Sequence, residues 1–105
     1  MAGKVETYIG FCIKARKISL GGGTIDLLRK GVYLIIVCST ASENTKKLAL
    51  KYKNRFLCPL IECKIGLENV VHKAGCKIAA IRDESLARAI TDNLNEDYVL
   101  YDGRQ

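Results

Sequence analysis

Val32-Tyr33-Leu34-Ile35-Ile36-Val37-Cys38, followed at once by Ser39-Thr40-Ala41-Ser42-Glu43-Asn44-Thr45-Lys46-Lys47, is the stretch on which the fold turns. An unbroken apolar run rich in β-branched residues predicts a central strand covered on both faces, because a strand with one wet face would alternate. The strand is expected to stop at Cys38 or Ser39. From Ser42 the chain is expected to be helical: the hydroxyl can accept from a free amide of the first turn, and Glu43 sits at the positive end of the helix dipole. Leu48, Tyr52 and Phe56 then fall at i, i+4 spacing on one buried stripe, leaving Lys46, Lys47, Lys51, Lys53 and Arg55 in water.

Outward from this core, Val5, Ile9, Cys12 and Ile13 mark an amphipathic first helix whose end carries Lys14, Arg16 and Lys17, where cations suit the dipole. Ile18 to Leu20 reads as a short strand. Gly21-Gly22-Gly23 breaks the chain before a second helix, expected over Thr24 to Lys30 with Gly31 as its cap. Pro59-Leu60-Ile61 reads as a short strand near a sheet edge or strand start, where proline is tolerated. Leu67, Val70 and Val71 give a fourth helix its apolar face, and Lys73-Ala74-Gly75 is a loop. Lys77 to Ile81 is another strand; Asp83-Glu84-Ser85 opens a helix carrying Leu86, Ala89, Ile90 and Leu94; Tyr98 to Tyr101 adds a terminal strand. Helices alternating with short strands imply an α/β fold, a three-layer α/β/α sandwich with a small mixed sheet.

The chain has 105 residues, the length of one domain with its own core, and no room for a multidomain enzyme. Residues 1–81 carry 14 Lys+Arg against 5 Asp+Glu, and residues 82–105 carry 3 against 6. A basic body with an acidic end fits a binder of polyanions. The five cysteines, Cys12, Cys38, Cys58, Cys63 and Cys76, form an odd set with no Cys-x-x-Cys, no secretory signal and no long apolar segment, so the expectation is a cytoplasmic protein with reduced thiols and no membrane partner. Cys58, Cys63, His72 and Cys76 match none of the common structural zinc spacings and fall on different elements. No metal or other cofactor is expected.

Phe11-Cys12-Ile13-Lys14-Ala15-Arg16-Lys17, Lys30-Gly31 before the apolar strand, Ala41-Ser42-Glu43-Asn44-Thr45-Lys46 after it, and Cys63-Lys64 with Leu67 carry a resemblance. From about Ile9 to Asn93 the chain resembles the kink-turn RNA-binding family of ribosomal proteins, of the L-seven-Ae and L-thirty-e type, and most resembles its small bacterial members. The resemblance implies a ribonucleoprotein role with structured RNA as the partner. It also implies two RNA contacts: the glycine turn with the start of the second helix, here Gly21, Gly22, Gly23 and Thr24, and the loop after the fourth helix, here His72, Lys73, Ala74, Gly75 and Cys76. Lys14, Arg16, Lys17, Lys46, Lys64 and Lys73 are the expected phosphate contacts. A glycine turn lets a backbone approach a base or phosphate closely, and small residues in the second loop suit an extruded base. The chain departs from the family at Gly22, Gly23 and Asp26, where Asn, Glu and Lys are usual, and at Ser39 and Thr40, where an acidic pair is usual. Asp26 is expected to repel phosphate.

The triple glycine also invites comparison with nucleotide-binding turns, but the full spaced glycine pattern and the acidic ribose partner are missing. No catalytic residues and no small-molecule substrate are expected. Three readings remain: first a ribosome-associated or regulatory RNA-binding protein, next a protein-interaction module that kept the fold and lost the RNA site, and last a small-ligand or nucleotide-binding enzyme.

Overall fold

The structure, a computed structural model, describes residues 3–102; residues 1–2 and 103–105 of the expected single domain lie outside the described residues. Helix α1 (Lys4–Lys14) leads to β1 (Ile18–Leu20), α2 (Gly22–Asp26) and β2 (Leu34–Cys38). Then come α3 (Glu43–Phe56), β3 (Leu60–Cys63), α4 (Leu67–Val71), β4 (Ile78–Ile81), α5 (Glu84–Thr91) and β5 (Tyr98–Leu100). The sheet order is β1-β4-β2-β3-β5, with β2 and β3 parallel and the other pairings antiparallel.

Every residue of β2 is buried, so both faces of the sheet are covered. Helices α1, α4 and α5 cluster together, while α3 lies on β2 and reaches α2 through the Tyr52 hydroxyl. The result is the α/β sandwich with a mixed sheet expected from the alternation of elements. The strand begins at Leu34 rather than Val32: Val32 is buried as a lead-in, and Tyr33 is turned out although its amide still donates to the Ile81 carbonyl at 2.9 Å.

The start of α3 follows the expected capping chemistry. The Ser42 hydroxyl oxygen accepts from the Thr45 amide at 3.2 Å, a cap worth about 1 kcal/mol. Its buried stripe is deepest at Ala49 and Tyr52, with Leu48 and Phe56 half-buried beside them. Asp83 caps α5 in the same way, its Oδ1 accepting from the Leu86 amide at 2.9 Å.

Two further elements differ from expectation for identifiable reasons. The second helix is a single turn beginning at Gly22 and capped at Leu27, so Thr24 to Lys30 is not helical throughout and Gly31, at φ +81°, turns an open loop instead of capping a helix. A turn this short is held by tertiary contacts, since only Ile25 of its residues is fully buried. Pro59 lies outside the strand it was expected to begin, and Leu60–Cys63 is an inner strand between β2 and β5. The edge positions belong to β1 and β5. Pro59 still supports the sheet, because its carbonyl accepts from the Ile35 amide at 3.0 Å.

Candidate nucleic-acid interface

The register of the sheet decides which loops meet. Strands β1, β2 and β3 run in one direction and β4 and β5 in the other, so the ends of the first three share a rim with the beginnings of the last two. Along that rim Gly21 N–H donates to Ile78 O at 2.9 Å, Cys38 N–H to Lys77 O at 2.8 Å, and Ser39 N–H to Cys63 O at 2.9 Å. The glycine turn, the turn after β2, Lys64 and the loop before β4 therefore sit side by side. Strand spacing puts Gly21 about 10 Å from Ser39, with β4 between them.

Gly21 has φ +90°, a conformation that L side chains rarely adopt. Gly22 is not an open turn residue: a Cβ there would stand 2.8 Å from Leu48 Cδ2, and its carbonyl accepts the Tyr52 hydroxyl at 2.9 Å. Gly23 faces open space at an ordinary φ, and Thr24 is exposed. Asp26 meets α3 rather than solvent alone: Arg55 Nη2 lies 3.1 Å from its Oδ1, and the Tyr52 hydroxyl lies 3.4 Å from the same oxygen. The Arg55 guanidinium also rides 5.1 Å over the Tyr52 ring and 5.7 Å over Phe56. The carboxylate expected to repel phosphate is thus opposed by a guanidinium, which its position in the sequence does not reveal.

The second loop is braced from α4. His72 closes α4 in the left-handed region at φ +58°, and Gly75 turns the loop at φ +79°. The Glu68 carboxylate accepts from the Gly75 amide, and Lys77 Nζ donates to it at 3.4 Å and to Thr40 Oγ1 at 2.9 Å. Lys77 so links the loop before β4 to the turn after β2. His72, Lys73, Ala74 and Gly75 are exposed while Cys76 is buried, which removes Cys76 from the contact surface. Among the described residues Lys64 and Lys73 form no ion pair.

The amide of Gly75 and then Lys77 hold Glu68 below the usual carboxylate range. A depressed carboxyl pKa means that its contribution is present above the unfolded value and is lost as pH falls through the folded value. The Gly75 amide resonance is accordingly expected to titrate at a pH below the ordinary glutamate range, with faster amide exchange in the loop on the acid side. An amide shift that stays flat through that range would show the brace to be absent.

Other expected contacts are not brought to this rim. Lys14, Arg16 and Lys17 lie at the opposite end of β1, where Arg82 N–H donates to Lys17 O and Arg82 Nη2 to Arg16 O, both at 2.7 Å. Lys46 turns toward β3, half-buried, with its Nζ 4.0 Å from Glu62. Positive charge alone groups these cations, whereas β1 carries the segments at its two ends to opposite ends of the sheet.

All five cysteines are free and buried. Burial pushes the Cys12 and Cys58 thiols up to about 11, out of the reactive range. For Cys38 burial acts in the same sense but is outweighed by the Thr40 hydroxyl at 3.2 Å, by the Leu67 and Thr40 amides and by the Lys77 charge, so this thiol lies below its ordinary value. Among the described residues no three His, Cys, Asp or Glu side chains are grouped to hold a metal ion. Among them, too, no helix is long and apolar enough to cross a membrane.

No protein-family model and no curated protein matches the chain. Among solved structures the fold is similar to that of a protein of unknown function from Bacillus halodurans C, with a TM-score of 0.70 at 20% identity over 87% of this chain and 96% of that one. At that identity the likeness establishes the fold.

Proposed function

We propose that the chain is an RNA-binding protein, ribosome-associated or regulatory, that takes structured, kink-turn-like RNA at the rim formed by Gly21–Thr24 and the His72–Gly75 loop. The observation that carries this reading is the sheet register, which sets the two segments named by the family resemblance beside each other although about fifty residues separate them in sequence. Exposed Gly23, unpaired Lys64 and Lys73, and small Ala74 and Gly75 supply close backbone approach, phosphate contacts and room for an extruded base. The Arg55 guanidinium beside Asp26 lessens the repulsion that its sequence position implies.

A gel shift comparing a kink-turn RNA with a straight duplex of equal length tests the reading. Wild type is expected to prefer the kink-turn RNA. Gly23→Val, whose added side chain meets open space, is expected to leave the melting temperature unchanged and to weaken kink-turn binding about tenfold, or ~1.4 kcal/mol. Lys73→Ala should lower the slope of log affinity against log salt by about one unit. Equal binding of both RNAs, or a Gly23→Val protein indistinguishable from wild type, would sink the proposal. The second reading, a protein-interaction module, draws on the loss of the family's usual Asn, Glu and Lys at Gly22, Gly23 and Asp26, and is favoured if neither RNA shifts at low salt.

A further inference from the structure

Among the described residues a group of unpaired cations gathers at the end of the sheet away from the glycine turn. Strands β1 and β2 begin there and β4 ends there, with Ile18 and Leu34 both registered on Ile81. The segments entering those strands are Arg16-Lys17 and Arg29-Lys30, all four exposed, and none has an acidic partner among the described residues. The segment leaving β4 adds Arg82.

Beside them a groove of about 470 Å³ opens between the loop before β2, the end of α3 and the outer face of α5. Arg29, Lys30, Arg55 and Arg88 line it, and Tyr33, 39% exposed, stands at its edge. Asp26 opposes Arg55 and Glu84 opposes Arg88 at 3.8 Å, while Asp83 is engaged in capping α5. Arg29 and Lys30 have no acidic partner among the described residues. At the glycine end Lys77 is matched by Glu68, while Lys64 and Lys73 have no acidic partner among the described residues. A second set of cations free of acidic partners among the described residues therefore stands at the end of the sheet away from the glycine turn.

We propose that this basic groove is a second nucleic-acid contact, which takes the sugar-phosphate backbone of an RNA helix without regard to sequence and independently of the glycine turn. The proposal shares with the reading above only that the polyanion is RNA. Guanidinium groups match phosphate oxygens in pairs, unpaired surface cations release counterions on meeting a backbone, and an exposed tyrosine ring offers a face to a sugar or an unpaired base. The groove is concave, which suits a phosphodiester ridge; a bilayer surface would instead select a convex amphipathic helix. Leu57, 90% exposed at the groove's lip, is a single apolar residue and not a patch.

A straight RNA duplex with no internal loop is the probe. Wild type is expected to bind it with a salt-dependent affinity. The double variant Arg29→Glu, Lys30→Glu is expected to weaken that binding about a hundredfold at low salt and to lower the salt slope by about two units. Gly23→Val should leave straight-duplex binding unchanged. If the reversed-charge protein does not melt cooperatively, Arg29→Gln with Lys30→Gln repeats the measurement, with about a tenfold loss expected. A double variant that keeps wild-type duplex affinity and slope overturns the proposal. So does a wild-type protein that ignores the duplex yet sediments with phosphatidylserine vesicles in an Arg29- and Lys30-dependent way. Loss of duplex binding in the double variant, together with no preference for kink-turn RNA in wild type, supports this groove and rejects the glycine-end reading. A retained kink-turn preference in a protein that has lost duplex binding supports both.

Discussion

Ile35→Asp is expected to abolish cooperative unfolding, leaving a chain with no thermal transition by circular dichroism at any temperature where the wild type is folded. Ile35 has no exposed surface and sits between Leu60 of β3 and Ala80 of β4, so a carboxylate there meets apolar side chains on every side. Burying an unpaired charge costs several kcal/mol after all relaxation, and a domain of this size has only about 5–15 kcal/mol in total. Loss of the isoleucine packing adds to the charge penalty. Ile35→Ala serves as the control: it removes packing without charge, costs about 2–5 kcal/mol and should still melt cooperatively at a lower temperature. A sharp Ile35→Asp transition near that of wild type would mean that β2 is not enclosed on both faces.

Tyr52→Ala carries the second-largest expected effect. The ring is almost wholly buried, and its hydroxyl donates to the Gly22 carbonyl at 2.9 Å, so one side chain both fills the layer under α3 and ties α3 to the short helix α2. Truncation is expected to cost about 3–5 kcal/mol, which for a domain this small lowers the melting temperature by more than about 12 °C. Tyr52→Phe separates the two roles: it keeps the packing and loses the hydrogen bond, for about 1 kcal/mol. Arg55 should lose order in the alanine variant as well, because its guanidinium lies over this ring. The glycine turn then loses its support from α3, so kink-turn affinity should fall further in Tyr52→Ala than in Tyr52→Phe. Equal melting temperatures for the two variants would show that the ring contributes little and that α2 is held by other contacts.

Much of the architecture was legible in the residues themselves. The apolar run through Cys38 marked an enclosed strand, because nothing else in a domain this small sensibly carries so many successive apolar residues. Ser42 and Asp83 marked helix starts, because a side-chain oxygen beside a free amide is a local interaction that needs no partner elsewhere. The short helix around Gly22 was harder to place. Its residues lack any propensity signal, and it owes its limits to Tyr52, Leu48 and Arg55, which come from a helix about thirty residues further on.

The candidate site divides along the same line. Gly21 to Thr24 and His72 to Gly75 were picked out by residue type and resemblance, and the sheet register joins them. Lys14, Arg16 and Lys17 were grouped with them by sequence proximity and charge, yet they stand at the far end of β1 beside Arg82. The sign of Asp26 is legible in the sequence; its pairing with Arg55 is not. Nor did Arg29 and Lys30 stand out among the other cations before the groove around them was known.

Residue order by itself determined the elements that rest on local physics: apolar runs, helical stripes, caps, and the glycines whose backbone no other residue adopts cheaply. Tertiary structure alone decided which loops share an end of the sheet, which charges are paired, and where the surplus of cations collects. These depend on strand order and direction, which arise from contacts between residues far apart in the chain, and a charge has no sign of its effect until its neighbours in space are known.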